Sequence, residues 1–375
     1  MQSIIKILRN PKIFSVTIMW LMILVVLGTL AQRDMGLFAA QQRYFSSYII
    51  WLFGFVPAPG GRFAMTVILI NLIIMLFANK NIWRIKKIGI LIVHIGGLLL
   101  LIGGGITAKF SSEGQMVIEE GSFANYIIDY RDMELALINK SSADYDEYTI
   151  IDQNALYSRS IISPDNMNID IEIIKFIDNC RPIERAGIAG FTYKGILKNF
   201  TFNELEPAKE DHDNLPAIIF DIRNSGNSAD GTYGLILNQS VPQNIKIYDQ
   251  NYEMRFRRKR TYLPFSIELI DFKKVDHPGT RMAKSYSSDI NLIENNLSRR
   301  VLIQMNEPLR HSGYTFFQSS FIEGLDKDTT VLAVVKNYGR LFPYISSIIM
   351  SIGLLLHLLI SLPKLFKKKI GASVQ

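Results

Sequence analysis

The chain has 375 residues, of which 48% are hydrophobic, and a formal net charge of +7. Long uncharged apolar runs at that composition exclude an ordinary soluble globule, and because the basic residues gather at the ends of those runs the positive charge calls for no nucleic acid partner. The single cysteine, Cys180, excludes an intramolecular disulfide and dithiol exchange within the chain.

A membrane-spanning helix needs roughly 20 mostly apolar residues. Residues 13–31, 63–78, 88–107 and 342–362 approach or meet that requirement. The second run is the shortest, but it lies between Arg62 and Lys80 with no charge inside. The first is too long and too uniformly apolar for a cleaved signal peptide, so it is expected to remain as an anchor. Between the first two, the aromatic stretch 44–56, YFSSYIIWLFGFV, is too short to cross and reads as an interfacial helix with Trp51 at headgroup depth.

Lys and Arg near helix ends are retained on the cytoplasmic side. Lys6, Arg9 and Lys12 precede the first span, Arg84, Lys86 and Lys87 separate the second from the third, and Lys364, Lys367, Lys368 and Lys369 follow the fourth. The expectation is a multi-pass protein with both termini inside and one large domain outside. Three regions follow: an N-terminal membrane region over 1–109, an extracytoplasmic domain over 110–340, and a fourth helix with a basic tail over 341–375.

From residue 125 the pattern changes to short alternating runs bounded by Gly, Asn, Asp and Pro, which is the period of strands. In NIDIEIIKF, Ile169, Ile171 and Ile173 share one face, and in FSIELIDF so do Phe265, Ile267 and Leu269. Ten or so short strands predict a β-rich domain, a sandwich or partly open barrel. Residues 141–146, 209–214 and 275–288 read as loops. The run Arg255 to Arg260, RFRRKR, reads as a solvated strand edge or as a patch for haem propionates or an acidic partner. No phosphate loop, nucleophile elbow or paired-cysteine metal spacing is present. Gly103 to Gly105 lie inside the third helix, where small residues let backbones approach.

Two of the five histidines, His94 and His357, fall within membrane spans, where an ionisable group is costly and is a functional candidate by default. His94 follows Lys87 by seven positions and His357 precedes Lys364 by seven, so both imidazoles are expected about 10 Å from the inner interface, at matching depth. Gly97, at i+3 from His94, and Gly353, at i−4 from His357, would leave recesses beside the rings. A flat apolar cofactor such as haem fits between neutral imidazoles, while zinc lacks further ligands at that depth. The alternative stays open that each histidine only hydrogen-bonds a carbonyl or serine and holds helices together. His311, in EPLRHSGY, offers itself as an outer-side ligand but reads first as solvated, as do His212 and His277 in polar loops.

The stretches HIGGLLLLIGGGIT, FSSEGQMVIEEG, LPFSIELIDF and above all NEPLRHSGYTFFQSSF resemble the ResB family, the membrane component of system II cytochrome c maturation. The resemblance implies a partner of CcsA, the two carrying haem b as a transient cargo across the bacterial inner membrane and attaching it to apocytochrome c, with a separate thiol–disulfide reductant. It implies that His94 ligates haem iron near the inner side and that the second ligand comes from CcsA rather than His357. The tryptophan-rich segment that marks CcsA is absent, so the chain is expected to be a non-catalytic or co-catalytic subunit. The other reading it leaves is an assembly scaffold that binds CcsA or apocytochrome c without ligating haem. A third, a membrane electron-transfer enzyme with a permanent bis-histidine haem, is disfavoured because no second histidine pair exists for a relay.

Overall fold

A computed structural model describes residues 6–142, 145–157, 161–164, 167–186, 192–226, 229–248 and 250–372, with side chains described up to Leu362. The chain divides into two compact units, Met1–Ser111 with Asn337–Gln375, and Ser112–Lys336.

The first unit is built from apolar helices. Helix α1, Pro11–Met35, starts where the Asn10 side chain accepts the Lys12 N–H at 3.0 Å, with Pro11 in the first turn, where its missing N–H costs nothing. It stops at Gly36, whose φ of 80° suits a residue without Cβ. Helix α2, Leu37–Tyr44, is followed by strands β1, Ile49–Leu52, and β2, Val56–Pro59, paired antiparallel. The stretch 44–56 is therefore a helix end and a hairpin, not an interfacial helix. Its Phe53–Gly54 turn holds both residues at positive φ, the geometry of a tight hairpin, which breaks the helical period that the apolar composition suggests. Helix α3 is Gly61–Ala78, and helix α4, Ile88–Phe110, follows two short 3₁₀ turns.

Four helical segments, Pro11–Met35, Gly61–Ala78, Ile85–Phe110 and Phe342–Leu362, are long and apolar enough to cross a membrane, and the chain is a membrane protein. The start of α1 and the end of α3 meet: Arg9 Nη1 donates to Ala78 O at 3.2 Å, and Asn71, buried on α3, donates to Leu8 O and Asn10 O. Those bonds keep a polar amide satisfied among apolar helices. They also bring the basic residues before α1 to the end of the bundle that carries Arg84, Lys86 and Lys87.

The second unit is β-rich. In chain order its strands are β3 Ser112–Glu119, β4 Phe123–Asn139, β5 Glu147–Asp152, β6 Ile161–Ile162, β7 Asp170–Ile177, β8 Cys180–Glu184, β9 Phe200–Glu204, β10 Ala217–Arg223, β11 Gly231–Ile236, β12 Gln243–Ile247, β13 Gln250–Asp276, β14 Ala283–Glu294, β15 Leu297–Gln304, β16 Leu309–His311, β17 Tyr314–Ile322 and β18 Thr329–Lys336, with a five-residue helix, α5 Gln153–Tyr157, after β5. All named pairings are antiparallel. The main sheet runs β15-β14-β13-β4-β3-β18-β17-β16, with β12 on β13 and β5 on β4, and a smaller sheet runs β11-β10-β7-β6.

Two long strands organise this unit. β13 carries FSIELIDF, which reads in sequence as one short strand, within a single strand of 27 residues that begins at Gln250. Residues 283–288, read as loop, open β14. One core gathers Leu135, Leu137, Met254 and Phe256 with Ile171, Ile218 and Phe220 of the smaller sheet. The other gathers Ala124, Ile127, Phe265, Ile267 and Leu269 with Met116, Phe316 and Leu332. β4 and β13 pass through both cores. Between them the pairing slips, between Arg258 and Arg260 and again between Tyr262 and Ile267, and such bulges bend the strands.

Cys180 opens β8 and is 3% exposed, and burial pushes its thiol from an ordinary value near 9 up to about 11. The thiolate is the reactive form, so a raised pKa suppresses reaction at neutral pH. Maleimide labelling of the folded chain is expected to run roughly 100-fold slower than labelling of the denatured chain from the pKa alone. Equal rates by mass spectrometry would contradict this.

Candidate functional site

Helix α6, Phe342–Ala372, packs antiparallel on α4 through two small-residue rows. On α4 the row is Gly89, Gly96 and Gly103; opposite it run Gly353 and Ser346 of α6 and Gly339 in the turn just before that helix. A Cβ on Gly89 would sit 2.6 Å from Gly353 O and 2.7 Å from His357 Cα, one on Gly353 would sit 2.7 Å from Val93 N, and one on Gly96 would sit 3.1 Å from Ser346 O. Seven-residue spacing keeps each row on one face, and backbone meets backbone along it. Of the GGG triplet only Gly103 takes part, against Phe342; Gly104 and Gly105 have open space where a Cβ would be.

This register fixes both membrane histidines. Gly89 lies between Gly353 and His357, and Gly96 between Ser346 and Met350, so His94 falls near the level of Met350 and His357 near that of Lys87. They are about seven residues apart along the helix pair, about 10 Å at the α-helical rise. The matching depth expected from the flanking lysines does not hold, because α6 runs on past the start of α4. The two also differ in facing. His94 precedes Gly96 by two positions, roughly 200° of rotation, which puts it on the side of α4 away from α6. The recess expected beside His357 at Gly353 is filled by the α4 backbone. A bis-histidine site between these helices is therefore not formed.

His94 shares its face with Leu91 and Leu98, which pack with Leu72 and Leu76 of α3. Its Nδ1 lies 2.7 Å from Ile90 O, one turn back. A carbonyl only accepts, so Nδ1 donates, and in the tautomer this bond selects the lone pair lies on Nε2. Among the described residues Nε2 has no hydrogen-bond partner. Gly97, one turn on, leaves room: a Cβ there would meet only Leu72 Cδ2, at 3.9 Å. His94 is thus an oriented imidazole, its second nitrogen free and a small residue beside it.

In the β unit, RFRRKR lies inside β13, paired to β4 on one side at the bulge between the cores; β12 pairs only up to Met254 and β14 only from Ser266, so its other side is a strand edge, but not a fully solvated one. Arg257 is 5% exposed and its Nε donates to Glu134 Oε1 at 2.8 Å, Glu134 being 2% exposed. Arg258 is half-buried; burial pulls its guanidinium below the ordinary value while Asp211 and Asp129 act in the opposite sense. His311, read as solvated, is half-buried instead, with Nε2 3.1 Å from Glu294 Oε2 and its ring edge-on to Phe265. His212 is exposed in a short 3₁₀ turn and His277 lies in the turn after β13. Among the described residues no three His, Cys, Asp or Glu side chains are grouped as a metal site would need. The buried Glu134–Arg257 pair was not singled out from sequence; a charge at position 134 inside an apolar alternating run, MELALI, is the signal that marks it.

A family model described as the ResB-like family matches residues 69–145 and 231–330, stretches that hold His94 and Gly97 but not His357. Protein NrfI of Wolinella succinogenes is 22% identical over 304 residues, covering 78% of this chain. The chain spans 29% of the length of that relative. All four stretches that carry the resemblance in the sequence fall inside the two matched segments. The likeness to the ResB-like family therefore runs from within the second membrane helix through the third into the first strands of the β domain, and again over that domain's second half.

Proposed function

We propose that the chain is a haem-handling membrane subunit of cytochrome c maturation, in which His94 gives an axial imidazole to haem as cargo. The observation that carries this reading is the bond from Nδ1 to Ile90 O, which orients the ring and leaves Nε2 as the nitrogen able to meet iron. Gly97 supports it, since a porphyrin face needs room beside its ligand. Haem brings its iron chemistry; the chain's residues bind, orient and exclude water.

His357 is not placed beside His94, and we take the second ligand to come from a CcsA-type partner, as the resemblance to the ResB family implies. The three basic clusters gather at one end of the helices, and by the retention of Lys and Arg that end is cytoplasmic. The β domain then lies outside, where it receives apocytochrome c, and the buried Cys180 leaves thiol reduction to a separate protein.

The competing reading, a scaffold that binds partners without haem, draws on the same bond, because an imidazole tied to a carbonyl also serves plain packing. Purification of the wild-type chain and of His94→Ala together with the partner separates the two. Loss of the Soret band and of mature c-type cytochromes in the variant is expected. An unchanged band with normal cytochrome levels would leave the scaffold. His357→Ala is expected to keep both.

A further inference from the structure

Arg257 and Arg260 sit where β13 bends between the two cores, and both line a cavity of about 190 Å³. They also line an adjoining cleft of about 390 Å³ with Arg258 and His212. A buried arginine usually meets its carboxylate with two parallel N–H bonds. Arg257 does not: Nε takes Glu134 Oε1, the other carboxylate oxygen turns to the Arg260 N–H at 3.4 Å, and Arg257 Nη2 is left buried without an acceptor. The Arg260 guanidinium lies over the Tyr126 ring at 4.3 Å, and among the described residues it has no carboxylate partner. Among the described residues no Asp or Glu lines the smaller cavity. In the larger cleft Asp129 is engaged, its Oδ1 accepting the Arg131 and Asp132 N–H groups. The rest of the lining is mixed: Val241 and Pro242 form an apolar wall with the buried Leu235, Met254 and Phe256, and Asn238, Gln239 and Ser240 add amides and a hydroxyl.

We propose that this cavity binds an organic carboxylate carried on an apolar body, the charge held by Arg257 and Arg260 and the body by the apolar wall. Arg260, which has no carboxylate partner among the described residues, and Arg257, held by Glu134, line a cavity that no described Asp or Glu lines, and such a lining selects an anion. The apolar wall selects against inorganic phosphate, which has nothing to place there. The assignment is independent of haem ligation by His94, which lies in the other unit.

The test uses the full chain in detergent with 3-(4-fluorophenyl)propionate, followed by ¹⁹F NMR line broadening. Saturable broadening by wild type is expected, about tenfold weaker for Arg260→Gln and absent for the neutral 3-(4-fluorophenyl)propionamide. Arg257→Gln strands buried Glu134, so Arg260→Gln is the deciding variant, its melting temperature checked alongside. Equal binding of acid and amide, equal binding by the Arg260 variant, or displacement by inorganic phosphate as effective as by unlabelled 3-phenylpropionate would overturn the proposal. Displacement by N-acetyl-Phe-Glu-amide assigns the carboxylate to a polypeptide side chain. Displacement by free acids alone assigns it to a small molecule.

Discussion

Glu134→Ala is expected to destabilise the β domain by about 3–5 kcal/mol, the cost of leaving a buried charge without its partner. Arg257 is 5% exposed and its Nη2 already lacks an acceptor, so removing Glu134 strips the guanidinium of its one carboxylate partner. The pair joins β4 to β13 across the bend, and the loss acts at the joint between the two cores. Thermal or denaturant unfolding of the full chain, followed by β-sheet circular dichroism, measures it. A double variant, Glu134→Leu with Arg257→Met, is expected to recover most of the loss, because an apolar pair of similar volume removes the desolvation cost instead of stranding a charge. Failure of the double variant to improve on the single one would show that the damage lies in shape, not charge.

The second large effect is in the membrane unit. Gly89→Ala would push a methyl between Gly353 O and His357 Cα, at 2.6 and 2.7 Å, and both are backbone atoms that no rotamer change can move. Overpacking of this kind costs about 1–3 kcal/mol, and here relief requires α4 and α6 to separate. Gly104→Ala supplies the control: it has the same helix and composition but open space, and alanine is the better helix former by about 0.5–1 kcal/mol, so that variant is expected to be neutral or stabilised. Melting in detergent reads the contrast. Equal behaviour of the two variants would remove the glycine row as the basis of the helix contact.

The four spans and the β-rich class were legible because both depend on local period and apolar length. The level of the histidines was not. Counting from flanking lysines assumes that both helices end at one plane, whereas the register is set by where Gly89 and Gly353 allow the backbones to close. The hairpin at 49–59 was hidden because WLFGFV is apolar throughout and its turn depends on two positive φ angles. RFRRKR read as a solvated edge since four arginines and a lysine in six residues suggest solvent; it is an edge on one side, but Arg257 is buried with Glu134, 123 positions earlier in sequence, and no local pattern carries a pairing at that range. His94 stands out in the sequence as the polar group in an apolar helix, while its tautomer needed the distance to Ile90 O.

The first strand of the β unit pairs along its whole length with the last, Ser112 opposite Lys336 and Glu119 opposite Thr329. A nascent chain leaving the ribosome therefore holds residues 112–119 without that partner until residues 329–336 have been made. Any truncation short of β18 exposes the inner flank of β3 and opens the second core, a template for aggregation. Such a product should be a substrate for quality-control proteases rather than a partly working fragment.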